Sequence, residues 1–401
     1  MLSLDAVDDA DVDFLLRLPH FAALCRAGTL VRRPRSVFIS NTYPAHCSVI
    51  TGDYPARHGL TENVYTRPGD LHPDWRCDAA ELKAPTLYEK AAQAGLSVMS
   101  ILYPVTCGAG IRWNIPEVPG VMPLSRRAAK MLGGGTPGFV FSAWLHSARY
   151  LTRADEPELD NFTAHAAARA IVEKKPDLLL LHLIDTDRHK HLYGPHSEQS
   201  DASLRRHDER LGLLLEAART AWPEDEDRAV IVFSDHGCLP VNRGIDPNDR
   251  LRQAGMIRGA GRKAADYDAF FHNAGGCTFL KVYRPDRTDA ALAVAAELLR
   301  GPAERMLTAE EMRQSGMAES FLCGLEAKAG ICFGAAHRGQ HGYALSHPGY
   351  YPFYLAAGPG VPRGRVQTGG CIVDICPLAA RLLGLPLWDM DGTDRVTGAQ
   401  A

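Results

Sequence analysis

The chain has 401 residues, 46% of them hydrophobic and 23% charged, a balance that fits a globular protein with a large buried core. Its formal net charge of -3 excludes a surface-wide basic face of the kind that grips DNA or RNA, so any phosphate recognition has to be local. The ten cysteines lie scattered among apolar and small residues without metal-finger spacing, and they read as buried free thiols.

Met1–Leu4 is an apolar first strand that ends on Asp5. Neither a basic leader nor a long apolar stretch accompanies it, so the expectation is a cytoplasmic, reducing location with no membrane span. A strand that begins at the first residue leaves room for a leader upstream. Next comes Asn41-Thr42-Tyr43-Pro44-Ala45-His46, a hydroxyl ahead of a proline that fits a first helical turn. A threonine there faces the exposed N–H groups of a helix N-terminus, which favour a phosphoryl oxygen or an alkoxide. The plainer alternative is that Thr42 only caps the helix. Asn63 can donate two hydrogen bonds to a phosphoryl oxygen without adding charge, or can be an ordinary turn residue.

Leu87–Ala94 has helical spacing, and the run around Ser97–Leu102 reads as a strand. Residues 108–157 break the alternation and read as an insertion over the active face. Ala164–Lys174 is an alanine-rich helix, followed by the apolar strand Leu178–Leu183 and a polar burst, Asp185-Thr186-Asp187-Arg188-His189-Lys190-His191. The carboxyl ends of strands in open α/β sheets carry ligand sites. Asp187 and His191 are four apart, hence on one helical face and able to converge on one ion; Asp185 and His189 share that spacing. Either pair also fits a solvated salt-bridge face.

Leu204–Ala218 is a further helix, and Ala229–Phe233 a further strand, which flows directly into Ser234-Asp235-His236-Gly237. A carboxylate beside an imidazole suits zinc, and Gly237 allows a sharp turn after the pair. The same four residues also fit a capped turn. A second break spans 240–276. Thr278–Val282 and Pro352–Leu355 read as core strands, Ala290–Leu299 and Val373–Leu383 as helices, and Gln340-His341-Gly342-Tyr343 supplies one more imidazole. Short apolar runs alternating with helical patterns predict an α/β fold, a mostly parallel sheet with helices on both faces. One catalytic domain over 1–401, elaborated at 108–157 and 240–276, accounts for the whole pattern.

The ordered set of motifs resembles the nucleotide pyrophosphatase/phosphodiesterase family of the alkaline phosphatase superfamily. It comprises Ser3-Leu4-Asp5-Ala6, Thr42-Tyr43-Pro44-Ala45-His46, Thr51-Gly52-Asp53-Tyr54-Pro55, His58-Gly59, Asn63, Asp187 through Pro195, Ser234-Asp235-His236-Gly237, Gln340-His341-Gly342-Tyr343 and Val373-Asp374-Ile375-Cys376-Pro377. The resemblance implies a three-layer α/β/α sandwich and two zinc ions. It places one ion on Asp187, His191 and His341, and the other on Asp5, Asp235 and His236 with Thr42 as an exchangeable ligand. Gly194-Pro195 matches the family frame three residues beyond His191, which favours Asp187/His191 over Asp185/His189. Asn63 falls at the phosphate-binding asparagine, and Tyr43 where an aromatic packs against the leaving group. Ala45 departs from the family's usual Asn, and Met1 leaves the first strand short.

The expected reaction is hydrolysis of a phosphodiester or pyrophosphate through a phosphothreonine on Thr42, with a small-molecule phosphate ester as the substrate. No motif places a lysine or arginine against extra phosphate charge, which favours a diester. The alternative is a phosphomonoesterase or phosphonate hydrolase on the same zinc pair, with Arg188, Lys190 or an arginine within 240–263 as the missing cation. A noncatalytic zinc-dependent binding protein is the remaining reading.

Overall fold

A computed structural model describes residues 1–66, 70, 73–119, 123–224, 228–259, 266–317, 321–347 and 349–398. Its spine is an eight-stranded sheet with the order Arg365–Thr368, Gly28–Arg32, Phe353–Ala357, Val230–Phe233, Leu2–Leu4, Leu178–Leu183, Val98–Ile101, Trp113–Ile115. Phe353–Ala357 runs antiparallel to both neighbours and every other pairing is parallel. The central strands are buried along nearly their whole length, as strands covered on both faces must be.

Helices Asp9–Leu15, Pro19–Ala27, Glu158–Lys174 and Glu198–Ala221 pack their apolar stripes on one face around Leu4, Leu181, Leu211 and Phe353. On the other face Thr42–Thr51, Leu87–Gln93 and Ile375–Leu382 enclose Val49, Leu180, Phe233 and Ile375. That is the three-layer α/β/α arrangement the motifs imply.

The expected strand Thr278–Val282 exists but lies elsewhere. Cys277–Val282 pairs with Ala269–Asn273 and Cys323–Ala327 in a separate four-stranded antiparallel sheet completed by Ala303–Thr308. An apolar run reports burial and not which sheet buries it, and helix Thr288–Arg300 covers this second core. The break at 240–276 therefore leads into a unit that continues to Ala327, with residues 260–265 outside the described set. The 108–157 stretch contributes the edge strand Trp113–Ile115 and the helix Pro137–Ser147, so part of it belongs to the main sheet. Nine cysteines are buried, Cys25 is half-buried and all ten are free. Among the described residues no helix is long and apolar enough to cross a membrane.

Candidate active site

Leu2–Leu4, Leu178–Leu183 and Val230–Phe233 are adjacent parallel strands, so their carboxyl ends deliver three acidic segments to one place. Ligand atoms of Asp5, Asp235 and His236 lie within 4.8 Å of one another, and so do those of Asp187, His236 and His341. His191 joins through Asp187, its Nε2 standing 3.3 Å from the carboxylate. His236 touches both groups, and its ring stacks on His341 at 4.2 Å.

Each imidazole is oriented from behind. His191 Nδ1 donates to Gly339 O at 2.8 Å, His341 Nδ1 to Asn41 Oδ1 at 2.9 Å and His236 Nδ1 to Gly237 O at 3.2 Å. All three therefore present Nε2 to the common centre, the arrangement that second partners impose on metal-ligating histidines. The carboxylates match them. Asp5 Oδ1, Asp187 Oδ1 and Asp235 Oδ2 are buried oxygens without a hydrogen-bond donor, and no lysine or arginine among the described residues pairs with these three side chains. Burial, then Asp235 and Asp187 nearby, push the Asp5 carboxyl well above its ordinary value. Burial opposes ionisation of Asp187 too, yet the His191 imidazole holds it below the usual range. Burial drives His341 well below its ordinary value, which keeps it a neutral electron-pair donor. Orphaned buried oxygens beside convergent imidazole nitrogens fit divalent cations of the zinc type.

Thr42 is the first residue of the helix Thr42–Thr51, and the preceding Asn41 is its extended cap without a side-chain capping bond. The Thr42 hydroxyl makes no cap either; it lies 3.4 Å from His236 Nε2, inside the cluster. Asn63 Oδ1 accepts from Tyr43 N at 2.9 Å, which fixes the amide beside the Thr42 turn, and its two N–H donors have no acceptor among the described residues. Asp185 and His189 are excluded from the cluster. Arg206 and Arg210 each hold Asp185 at 2.7 Å, and His189 pairs with Asp185.

Two expectations need correction. Tyr43 has no exposed surface; its ring meets Trp75 edge-on and its hydroxyl donates to Glu117, so neither face is open to a leaving group. Packing between the helix and the 60–107 segment claims it. Gly237 is not in a left-handed turn: a Cβ there would stand 3.0 Å from the Tyr350 ring and 3.2 Å from its Cα, so the requirement is close approach. Gly342 does need its φ of 79°, and a Cβ would lie 1.7 Å from Ala274 O.

Most of the cations offered for a monoester are engaged elsewhere. Lys190 is fully buried on Ala6 O, Asp8 and Asp11, and Arg188 reaches out to Asp155. Arg250, Arg252 and Arg258 pair with Glu297, Asp249 and Asp268, Arg243 is exposed, and Arg262 lies outside the described residues. Sequence reasoning also missed a supporting chain. His182 bonds Asp5 Oδ2 at 3.2 Å and Glu117 at 3.0 Å, and Glu117 accepts from Tyr43. His46 donates from Nδ1 to Thr42 O at 2.7 Å and meets Ser3 Oγ with Nε2, tying the nucleophile turn to the first strand.

The sequence model of the family described as type I phosphodiesterase/nucleotide pyrophosphatase matches residues 1–315. Human ectonucleotide pyrophosphatase/phosphodiesterase family member 1 is 24% identical over 55% of this chain, a match that spans only 21% of that protein. Bovine bis(5'-adenosyl)-triphosphatase ENPP4 is 23% identical over 98% of this chain and 80% of its own length. Among solved structures, human ENPP5 superposes with a TM-score of 0.71 at 18% identity, covering 98% of this chain and 96% of that one. Murine ENPP5, as an inactive threonine-to-alanine variant in complex with AMP, gives 0.68 at the same identity and the same coverage, which shows the shared fold. The family match over residues 1–315 is the finding that decides membership: the chain belongs to the type I phosphodiesterase/nucleotide pyrophosphatase family, a family of phosphoric diester hydrolases.

Proposed function

We propose that the chain hydrolyses a phosphodiester or pyrophosphate bond through a phosphothreonine on Thr42, at a centre holding two zinc ions. Asp187, His191 and His341 hold one ion; Asp5, Asp235 and His236 hold the other, with the Thr42 hydroxyl as its exchangeable ligand. When bound, the pair lowers the pKa of that hydroxyl and offsets charge on the departing oxygen. Two divalent ions against three carboxylates leave a net charge of about +1, which attracts a phosphate anion.

Thr42 Oγ1 attacks phosphorus, the P–O bond to the leaving group breaks, and water then cleaves the phosphothreonine. Asn63 offers its free N–H donors to a nonbridging oxygen, and the helix N-terminus at Thr42 adds its dipole in the same sense. The observation that carries this reading is the convergence of three donor-less carboxylate oxygens and three back-bonded imidazoles on one hydroxyl. The triphosphatase name of the bovine relative and the AMP complex of murine ENPP5 support a nucleotide as substrate class. A diester is favoured over a monoester because Lys190 and Arg188 are occupied elsewhere.

Rates on bis-p-nitrophenyl phosphate and p-nitrophenyl phosphate test the order of preference, and the diester is expected to have the higher kcat/KM. A clear monoester preference would make the phosphomonoesterase or phosphonate hydrolase reading the better one. Thr42→Ala is expected to lower kcat by at least about a thousandfold while zinc content persists. Unchanged turnover would remove the covalent scheme.

A further inference from the structure

Next to His191 the surface opens into a recess of about 700 Å³, lined on its polar side by Tyr193, His196, Asn242, His337 and Arg338. No aspartate or glutamate is among its described lining residues. The His337 ring packs 5.0 Å from that of His191, so the recess begins where the Asp187, His191 and His341 group ends. Arg338 stands at a fixed point of its wall. Its N–H donates to His191 O at 2.9 Å and its carbonyl accepts from Val241 N at 2.9 Å, clasping the backbone between the Asp185–Tyr193 helix and the Leu239–Ile245 strand. The next two residues, Gly339–Gln340, pair antiparallel with Leu239–Pro240 and lead into His341. The guanidinium is exposed, and no carboxylate among the described residues pairs with it.

This inference rests on the proposed reaction. An in-line displacement by Thr42 expels the leaving oxygen on the side away from Thr42, towards the ion held by Asp187, His191 and His341, and His191 is itself a lining residue of the recess. A guanidinium, two imidazoles and an amide without an acid among them select negative charge. We propose that the recess is an anion subsite for the leaving group, in which Arg338 favours substrates whose departing half carries its own phosphate. The bond broken is the one between the attacked phosphorus and the bridging oxygen, whose electron pair leaves with the phosphate or pyrophosphate.

The test compares ATP, which expels pyrophosphate, with the p-nitrophenyl ester of thymidine 5'-monophosphate, whose leaving group carries no phosphate. For each zinc-loaded protein the ratio of the two kcat/KM values is measured. Arg338→Ala is expected to lower this ratio about tenfold, Arg338→Glu further, and Arg338→Lys to restore most of it. The wild-type ratio should fall as salt is raised, because the site is exposed. Calorimetric titration with inorganic pyrophosphate gives a readout independent of turnover, and Arg338→Glu should weaken its binding about tenfold or more. A ratio within twofold of wild type in both the alanine and glutamate variants, or unaltered pyrophosphate binding, overturns the subsite. Failure of the wild type on both substrates with pyrophosphate binding still dependent on Arg338 sinks the parent reaction and leaves the subsite standing. An equal loss on both substrates assigns Arg338 to the scissile phosphate and overturns the leaving-group role.

Discussion

At Asp5 one carboxylate oxygen receives His182 at 3.2 Å while the other has no donor, and Asp235 repeats the pattern with Ala6 N at 3.2 Å on Oδ1 and no hydrogen-bond donor on Oδ2. Leaving a buried oxygen unpaired costs about 1–3 kcal/mol, more when it is charged, so two such oxygens side by side mark a place for a cation. His182 makes Asp5 rigid and is itself held by Glu117. Outer partners of this kind change metal affinity by about 10–100-fold, so His182→Ala is expected to weaken zinc binding to that extent, measured by competition with a chelating dye. An unchanged affinity would reduce His182 to core packing. Asp5, Asp235 and His236 were legible in the sequence because each lies within three residues of the end of a strand. His182 was not, since a histidine inside an apolar run has the same signature as any buried strand residue, and Glu117 approaches from a stretch without periodicity.

The helix Asp185–Tyr193 shows how an element decides what spacing leaves open. Two carboxylate–imidazole pairs share the four-residue interval, and on spacing alone they are equivalent. Arg206 and Arg210, both on the helix Glu198–Ala221, claim Asp185, while Asp160 caps the helix start at Ile184 N and Asp185 N. That pins the rotation which turns Asp187 and His191 to the site. Lys190 pins it from the other side, its ammonium enclosed by Asp8 and Asp11. Removing one partner of a buried ion pair leaves uncompensated charge, so Lys190→Met is expected to destabilise the fold by about 3–5 kcal/mol in urea denaturation. A loss below about 1 kcal/mol would show that the helix is held by its other contacts.

For the whole molecule, alternating apolar runs made the parallel sheet and its two helical layers readable, with helix Glu158–Lys174 beginning earlier than its alanine-rich core. The second sheet was hidden because its strands look like those of the first and only tertiary pairing separates them. Burial also sets the acid limit of the fold. It lowers His58 and His207 from 6.5 to about 3, with Arg210 assisting at His207. The unfolded chain therefore takes up protons first as pH falls through 6.5, so this contribution to stability is present above 6.5 and lost progressively towards 3. Melting temperature is expected to fall over that window, and less steeply for His207→Leu, because neither His207 ring nitrogen has a partner to lose. An identical slope in the variant would place the acid sensitivity elsewhere. The proposed reaction depends on two adjoining cation positions beside Thr42, one on Asp187, His191 and His341 and the other on Asp5, Asp235 and His236. Metal content by inductively coupled plasma mass spectrometry tests this most directly: the account predicts close to two zinc ions per chain, with Asp187→Ala and Asp235→Ala each retaining about one. A wild-type chain that binds no zinc after reconstitution, or variants that bind as much as wild type, would contradict it.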